Sequence, residues 1–277
     1  MQRLRLRYTK RDRLRFTSHR DFARAFERAI RRAGLPMAYS AGFSPHPKIS
    51  YLGAAPTGVA SEAEYLEIGL AIRCDPETVR ADLDASLPPG LDVVECVEAS
   101  GEALAQRIEA SLWRVALPGV DDATLTAAVA EFLGRAEVMV ERMAKNGKRP
   151  VDARAAVVRA VVVQALAVQA SVVAGSVDQR TAPTQPGAGS AAAAGQQPCA
   201  ILELGVRQVT PAVRPDDVIA ALAAVAGCAA ASPPRSMRVA QGRLDESGQL
   251  TDPLAPDRAE ALAAREGAPA AVAGAPR

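Results

Sequence analysis

The residue types that could do chemistry are concentrated between Phe16 and Leu70. The chain has two histidines, and both lie in this block: His19 in Phe16-Thr17-Ser18-His19-Arg20-Asp21 and His46 in Gly42-Phe43-Ser44-Pro45-His46-Pro47-Lys48. An imidazole titrates near neutrality and can shuttle protons, bind metal or donate to phosphate. Pro45 and Pro47 restrict the backbone on either side of His46, and Gly42 permits a tight turn, so the loop presents a fixed shape. A shaped loop serves function more often than a core segment does. His19 is equally well explained as a helix-start residue that satisfies a local hydrogen bond. His19, His46 and Lys48 are therefore candidates for catalysis, with no firm assignment. Tyr39, Phe43 and Tyr51 flank the loop and either stack on a base or pack the loop onto a sheet.

Arginines supply the second pattern. Arg20, Arg24, Arg28 and Arg31 recur every three or four residues, with Arg32 beside them, and on a helix they form a stripe able to hold successive phosphates. An ordinary solvated face paired with acids such as Glu27 is the plainer explanation. In Arg3-Leu4-Arg5-Leu6-Arg7-Tyr8 the arginines share one strand face and the apolar residues the other, and Arg13 and Arg15 repeat the alternation. If the leucines face the helices, the arginines occupy the open sheet face, where many RNA-binding modules hold their ligand, although stacking aromatics are missing there. Glu62, Glu64 and Glu67 are placed to pair with these arginines or to act as a base. Residues 1–48 carry 13 Lys/Arg against 3 Asp/Glu, a surplus of +10, whereas residues 61–110 carry 3 against 12, or −9. Such segregation either creates a field for an anionic partner or cancels within the fold.

The elements that must position these residues follow from periodicity. Residues 3–16 predict a β-hairpin or bent strand. Ser18 and Asp21 stand in capping-box spacing ahead of Phe22, Phe26, Ala29, Ile30 and Ala33, and Gly34-Leu35-Pro36 ends the run, which predicts a helix over about 19–33. Strands near 47–53 and 64–72, a helix from Asp75-Pro76 to Leu87 and a strand at 91–98 complete a β-α-β-β-α-β order. After a connector at 101–110, a strand at 112–117, a helix at 121–134, strands at 136–143, 157–168 and 200–209, a helix at 215–226 and a strand at 236–241 suggest a second round. The expected fold class is α+β, two tandem ferredoxin-like halves: residues 1–100, and 101–242 with a flexible insertion at 174–198. A disordered tail is expected over 243–277, because both low-complexity stretches lack periodic hydrophobicity.

Several function classes are disfavoured. Hydrophobic residues make up 49% of the 277, enough for a real core. The four cysteines, Cys74, Cys96, Cys199 and Cys228, are far apart and read as reduced cytosolic thiols. Their spacing cannot form the local cradle of a radical SAM iron–sulfur cluster. The N-terminal residues lack the apolar stretch of an export signal. Arg159, Gln164 and Gln169 interrupt the longest apolar region, so no membrane span is expected. There is no Gly-rich phosphate loop, no nucleophile elbow and no zinc-ligand pattern.

One resemblance adds to this reading. Ser18-His19-Arg20-Asp21, Phe26-Glu27-Arg28-Ala29, Arg32-Ala33-Gly34-Leu35-Pro36, Tyr39-Ser40, the Gly42 to Lys48 loop and Glu64-Tyr65-Leu66 resemble the radical-SAM-associated family of unknown function, in its free-standing form. The likeness continues more loosely through Glu141-Arg142, Gly147 to Asp152 and Arg214-Pro215. The usual family pattern has leucine where Arg20 stands and asparagine where Ser44 stands. The resemblance implies a partner, a radical SAM protein that would carry S-adenosylmethionine and the iron–sulfur cluster, while this chain binds no cofactor or metal of its own. Together with the arginine surfaces it suggests a cytoplasmic, non-catalytic accessory protein that binds transfer or ribosomal RNA, or another substrate, for modification. The binding residues would be Arg3, Arg5, Arg7, Arg13, Arg15, Arg20, Arg24, Arg28, Arg31, Tyr39, Phe43, His46 and Lys48. A metal-independent RNA-processing enzyme using His46 and His19, or a protein-only scaffold for the radical SAM partner, remain the alternatives.

Overall fold

The computed structural model describes residues 1–144, 147–164 and 198–266. It is a mixed α and β fold with mostly antiparallel strands, and it divides into two compact units, Met1–Ser111 with Met237–Arg277, and Leu112–Ser236. All but the last residue of the insertion expected at 174–198, and the last part of the expected tail, 267–277, lie outside the described residues.

The first unit is built around β1 (Gln2–Lys10), α1 (His19–Arg32), β2 (Ile49–Leu52), β3 (Ala60–Leu70), α2 (Pro76–Ser86) and β4 (Val93–Glu98). β1 lies antiparallel between β3 and β4, and β2 pairs antiparallel with β3, giving the spatial order β4-β1-β3-β2. The alternation in β1 works as expected on one face: Leu4, Leu6 and Tyr8 are buried with Phe22, Phe26 and Ile30 of α1 and Val79 and Leu83 of α2. Tyr8 stacks on Phe22 with ring centroids 4.8 Å apart. α1 starts where the sequence signals it, with the Ser18 hydroxyl accepting from the Asp21 N–H at 3.2 Å and donating to the Asp21 carboxylate at 2.7 Å. Gly34, at φ +62°, turns the chain away at the end.

Three expectations for this unit need correction. Arg13-Leu14-Arg15-Phe16 is not a second strand. Asp12 takes φ +48°, and Asp12–Phe16 forms a 3₁₀ turn in which Leu14 packs on the core. The far face of the sheet is not open, because the connector, with its 3₁₀ turn Leu104–Arg107, and the C-terminal segment both cover it. Leu104, Ile108 and Leu254 form a second core there with Ala63, Tyr65 and Val97. The expected tail is not structureless over 243–266. It continues β10 (Arg235–Leu244), which runs parallel to β3 at Ala60 and Ser61, then forms β11 (Leu250–Thr251) and a helix, Ala255–Glu266.

The second unit contains β5 (Ala110–Pro118), α3 (Asp122–Leu133), β6 (Met139–Ala144), β7 (Gly147–Asp152), β8 (Val157–Val163), β9 (Cys199–Arg207) and α4 (Pro215–Ala226). The C-terminal helix Ala255–Glu266 is accordingly α5. β9 lies between β5 and β8. The strand expected at 136–143 exists, but it pairs with β7 as a separate two-stranded ribbon instead of joining the sheet. Buried Val140 and Val151 anchor one side of the ribbon, and Arg142 is clasped by Asp217 at the start of α4, its Nε donating at 2.8 Å. Among the described residues no helix is long and apolar enough to cross a membrane.

Candidate functional site

The structure sorts the arginines by what faces them. Arg5 has no exposed side-chain surface. Its Nη1 donates to Asp257 of α5 at 2.8 and 3.1 Å and its Nη2 to the Glu102 carbonyl at 2.6 Å, while Glu67 takes its Nε at 3.2 Å. Asp257 is equally buried and also accepts from Arg107 at 2.9 Å and from the Ser100 N–H at 2.8 Å. A guanidinium held this way is a structural clamp, so Arg5 leaves the list of surface binding residues. Arg7 is half-buried, 3.8 Å from Glu95. Arg15 lies over the ring of Phe16 at 4.7 Å, and Arg13 is exposed in the 3₁₀ turn.

Helix α1 presents a different surface. Arg20, Arg24, Arg28 and Arg31 are all exposed, and among the described residues none of them takes part in an ion pair. Arg32 instead donates to the Ser86 carbonyl. The acidic segment 61–110 thus pairs with the arginines of β1 and with Arg11 just after it, with Glu67 serving Arg3 and Arg5, Glu95 serving Arg7, and Glu62 and Asp92 serving Arg11. The helical row is left as concentrated, uncompensated positive charge.

The Gly42 to Lys48 loop is the tip of a short hairpin. Its rungs are Lys48 N–H to the Ala38 carbonyl at 2.8 Å and Ser40 N–H to the His46 carbonyl at 2.8 Å, and Tyr39 bridges Pro47. The Ser40 hydroxyl closes the tip by accepting from the His46 N–H at 3.0 Å. The hairpin is docked on β3 through Ala38 N–H to the Gly69 carbonyl at 2.8 Å and Gly69 N–H to the Lys48 carbonyl at 2.9 Å. Phe43 at the tip is fully exposed and Tyr39 is 57% exposed, so neither packs the loop onto the sheet. Tyr51 does pack: it meets Phe22, Phe26 and His19 edge to face, and burial together with the nearby Glu27 pushes its phenol well above the ordinary range.

Beside the hairpin is a cleft of about 380 Å³. Arg3, Ser40, His46, Lys48, Ser50 and Glu67 supply its polar lining, and Pro47, Ile49, Ile68 and Gly69 its apolar part. The absence of a side chain at Gly69 leaves room for Lys48. A Cβ there would stand 3.2 Å from the Lys48 Cβ. His46, Lys48 and Arg3 are therefore brought together, while His19 is not among the lining residues. Ser50 was not singled out by sequence, whereas Ser40 entered through the Tyr39-Ser40 pair and Glu67 as a partner for the arginines or a base. Among the described residues, no group of three or more His, Cys, Asp and Glu side chains is placed to hold a metal ion.

A second polar cluster in this unit is buried. Glu64 binds Arg238 and accepts from the Ala55 N–H at 3.0 Å, Arg238 donates to Gln241 at 3.1 Å, and Lys10 donates to the Ala55 carbonyl at 3.3 Å. Burial lowers the Lys10 ammonium below the usual lysine range. Glu64 is consequently a structural partner of Arg238 with 1% of its surface exposed, and it does not line the cleft beside the hairpin.

No curated protein matches the chain. Among solved structures, it is similar to one described as "Crystal Structure of an Unknown Protein from Galdieria sulphuraria", at 14% identity, over 81% of this chain and 91% of that one, with a TM-score of 0.22. A family match covers residues 3–182, more than half of the chain and including the helix α1, the hairpin and the cleft: the chain belongs to the family described as "Uncharacterized protein conserved in bacteria (DUF2344)".

Proposed function

We propose that this chain is a non-catalytic accessory protein that holds RNA, of the transfer or ribosomal class, for modification by a separate radical SAM enzyme in the cytoplasm. The observation that carries the reading is the row Arg20, Arg24, Arg28 and Arg31, exposed on one helix and without ion pairs among the described residues. Four guanidinium groups at one-turn spacing suit a chain of phosphates, and they bind by releasing counterions rather than by reading sequence. The hairpin adds exposed Phe43 and Tyr39 for stacking on an unpaired base or for docking the partner. S-adenosylmethionine and the iron–sulfur cluster would sit on that partner. The fold is read in the same terms, as two tandem ferredoxin-like halves. The antiparallel order β4-β1-β3-β2 supports the first, and β5, α3, β8, β9 and α4 with the β6-β7 ribbon inserted support the second.

The test is to cross-link the tagged chain in its native cells, purify it, and identify bound RNA and protein, with an Arg24→Glu/Arg28→Glu/Arg31→Glu variant in parallel. A defined RNA together with a radical SAM protein, the RNA being lost in the variant, is expected. A radical SAM protein without RNA would replace the reading with a protein-only scaffold. A second reading has one observation in its favour: His46 and Lys48 line the same cleft, as a general acid or base and a phosphorane-stabilising cation would. It requires metal-independent RNA cleavage that disappears in His46→Ala, and intact RNA after long incubation rejects it.

A further inference from the structure

The arginine row and the cleft differ in the charge they can take. Along α1 each exposed guanidinium is separate from the next by a helical turn, which matches the single charge on each internal phosphodiester. The cleft gathers two cations, Arg3 and Lys48, into one concavity. Its carboxylate offsets them only in part, because Glu67 is shared between the buried Arg5 at 3.2 Å and Arg3 at 3.5 Å. Among the described residues Lys48 takes part in no ion pair, and the Met1 sulfur lies 3.4 Å from its ammonium. Lys48 is left in surplus and Arg3 shares its carboxylate with Arg5, with the Ser40 and Ser50 hydroxyls and the His46 imidazole beside them.

We propose that this cleft is a seat for a phosphate monoester, and, resting on the RNA-holding reading above, that its occupant is the 5′-terminal phosphate of the bound RNA. A monoester carries close to two negative charges at neutral pH and has three acceptor oxygens, against one charge on a diester. Two cations and flanking hydroxyl donors match the former. A volume of about 380 Å³ is at the small end of ligand sites, room for a phosphate with its sugar but not for a folded segment. The apolar lining by Ile49, Ile68 and Pro47 suits the ribose carbons. Gly69 contributes by leaving space for the Lys48 stem.

The full chain is titrated with a single-stranded oligoribonucleotide bearing a 5′-phosphate, the same oligonucleotide with a 5′-hydroxyl, and a nucleoside 5′-monophosphate alone. The 5′-phosphate is expected to tighten binding roughly tenfold, the scale of one charge-assisted contact. That ratio should collapse to about one in Lys48→Ala and in Arg3→Ala, and be retained in Lys48→Arg. Lys48 and Arg3 are exposed, so neither change disturbs the core, and unchanged melting of the variants verifies this. Arg24→Gln should weaken both oligonucleotides equally and leave the ratio intact. Equal binding of the two oligonucleotides with no binding of the monophosphate overturns the cleft proposal while the RNA-holding reading stands. Monophosphate binding that Lys48→Ala abolishes, with neither oligonucleotide bound, keeps the monoester site, makes a free nucleotide its source, and removes the RNA-holding reading. Failure of all three ligands to bind removes both.

Discussion

Asp257 and Arg5 decide what the far face of the first sheet is for. Both side chains have no exposed surface, and Asp257 accepts from Arg5, Arg107 and the Ser100 backbone at once. Removing one partner of such a cluster leaves a buried charge uncompensated, so Asp257→Ala should cost about 3–5 kcal/mol, read as a lower midpoint in urea unfolding. An unchanged midpoint would mean that α5 is not held by this carboxylate. Cys96 gives a second prediction at the same scale. Burial in the α2 to β4 core pushes its thiol from 9.0 up to about 12. Between those values the folded chain keeps a proton that the unfolded chain has released, so stability should fall as pH rises through that window. At mildly alkaline pH an alkylating reagent should label exposed Cys199 and spare Cys96 until the chain is unfolded, as peptide mass spectrometry would show. Of the candidate residues, His46, Lys48 and Phe43 were legible because prolines and a glycine mark a shaped loop locally. Arg5 was misread because its partner lies 252 positions away, and nothing in Arg3-Leu4-Arg5-Leu6 signals a distant carboxylate.

At the level of elements, α1 was the clearest segment in the sequence, since cap, apolar face and terminating glycine all agree. Its Ser18 cap makes a plain test: Ser18→Ala should lower stability by about 1 kcal/mol, measured by thermal or urea unfolding. The misreadings follow from alternation being an incomplete criterion. Arg13-Leu14-Arg15-Phe16 alternates as a strand does, yet the left-handed backbone at Asp12 breaks the pairing and leaves Phe16 59% exposed. β7 passed unnoticed because Gly147-Lys148-Arg149-Pro150 contains two cations and a proline, residues tolerated in a two-stranded ribbon and depleted in a central strand. α5 was lost in an Ala-rich, Pro-containing stretch whose one informative side chain, Asp257, looks like any surface acid until Arg5 and Arg107 are placed around it.

Across the molecule the sequence is segregated into a basic and an acidic region, and folding resolves the ambiguity that this creates. The acidic residues of β3 and β4 cancel the arginines of β1, whereas no acid reaches the outer row of α1 among the described residues. Net charge is only +2, so an RNA-binding role depends on where the positive charge remains rather than on how much there is. The measurement that addresses this most directly is the salt dependence of RNA binding by the full chain and by an Arg24→Gln/Arg28→Gln/Arg31→Gln variant. For single-stranded RNA each phosphate contact contributes about −0.7 to the slope of log affinity against log salt, so losing three contacts should flatten that slope by about two. Affinity at low salt should fall with it. The same slope and affinity in both proteins would contradict the claim that this helix holds the RNA.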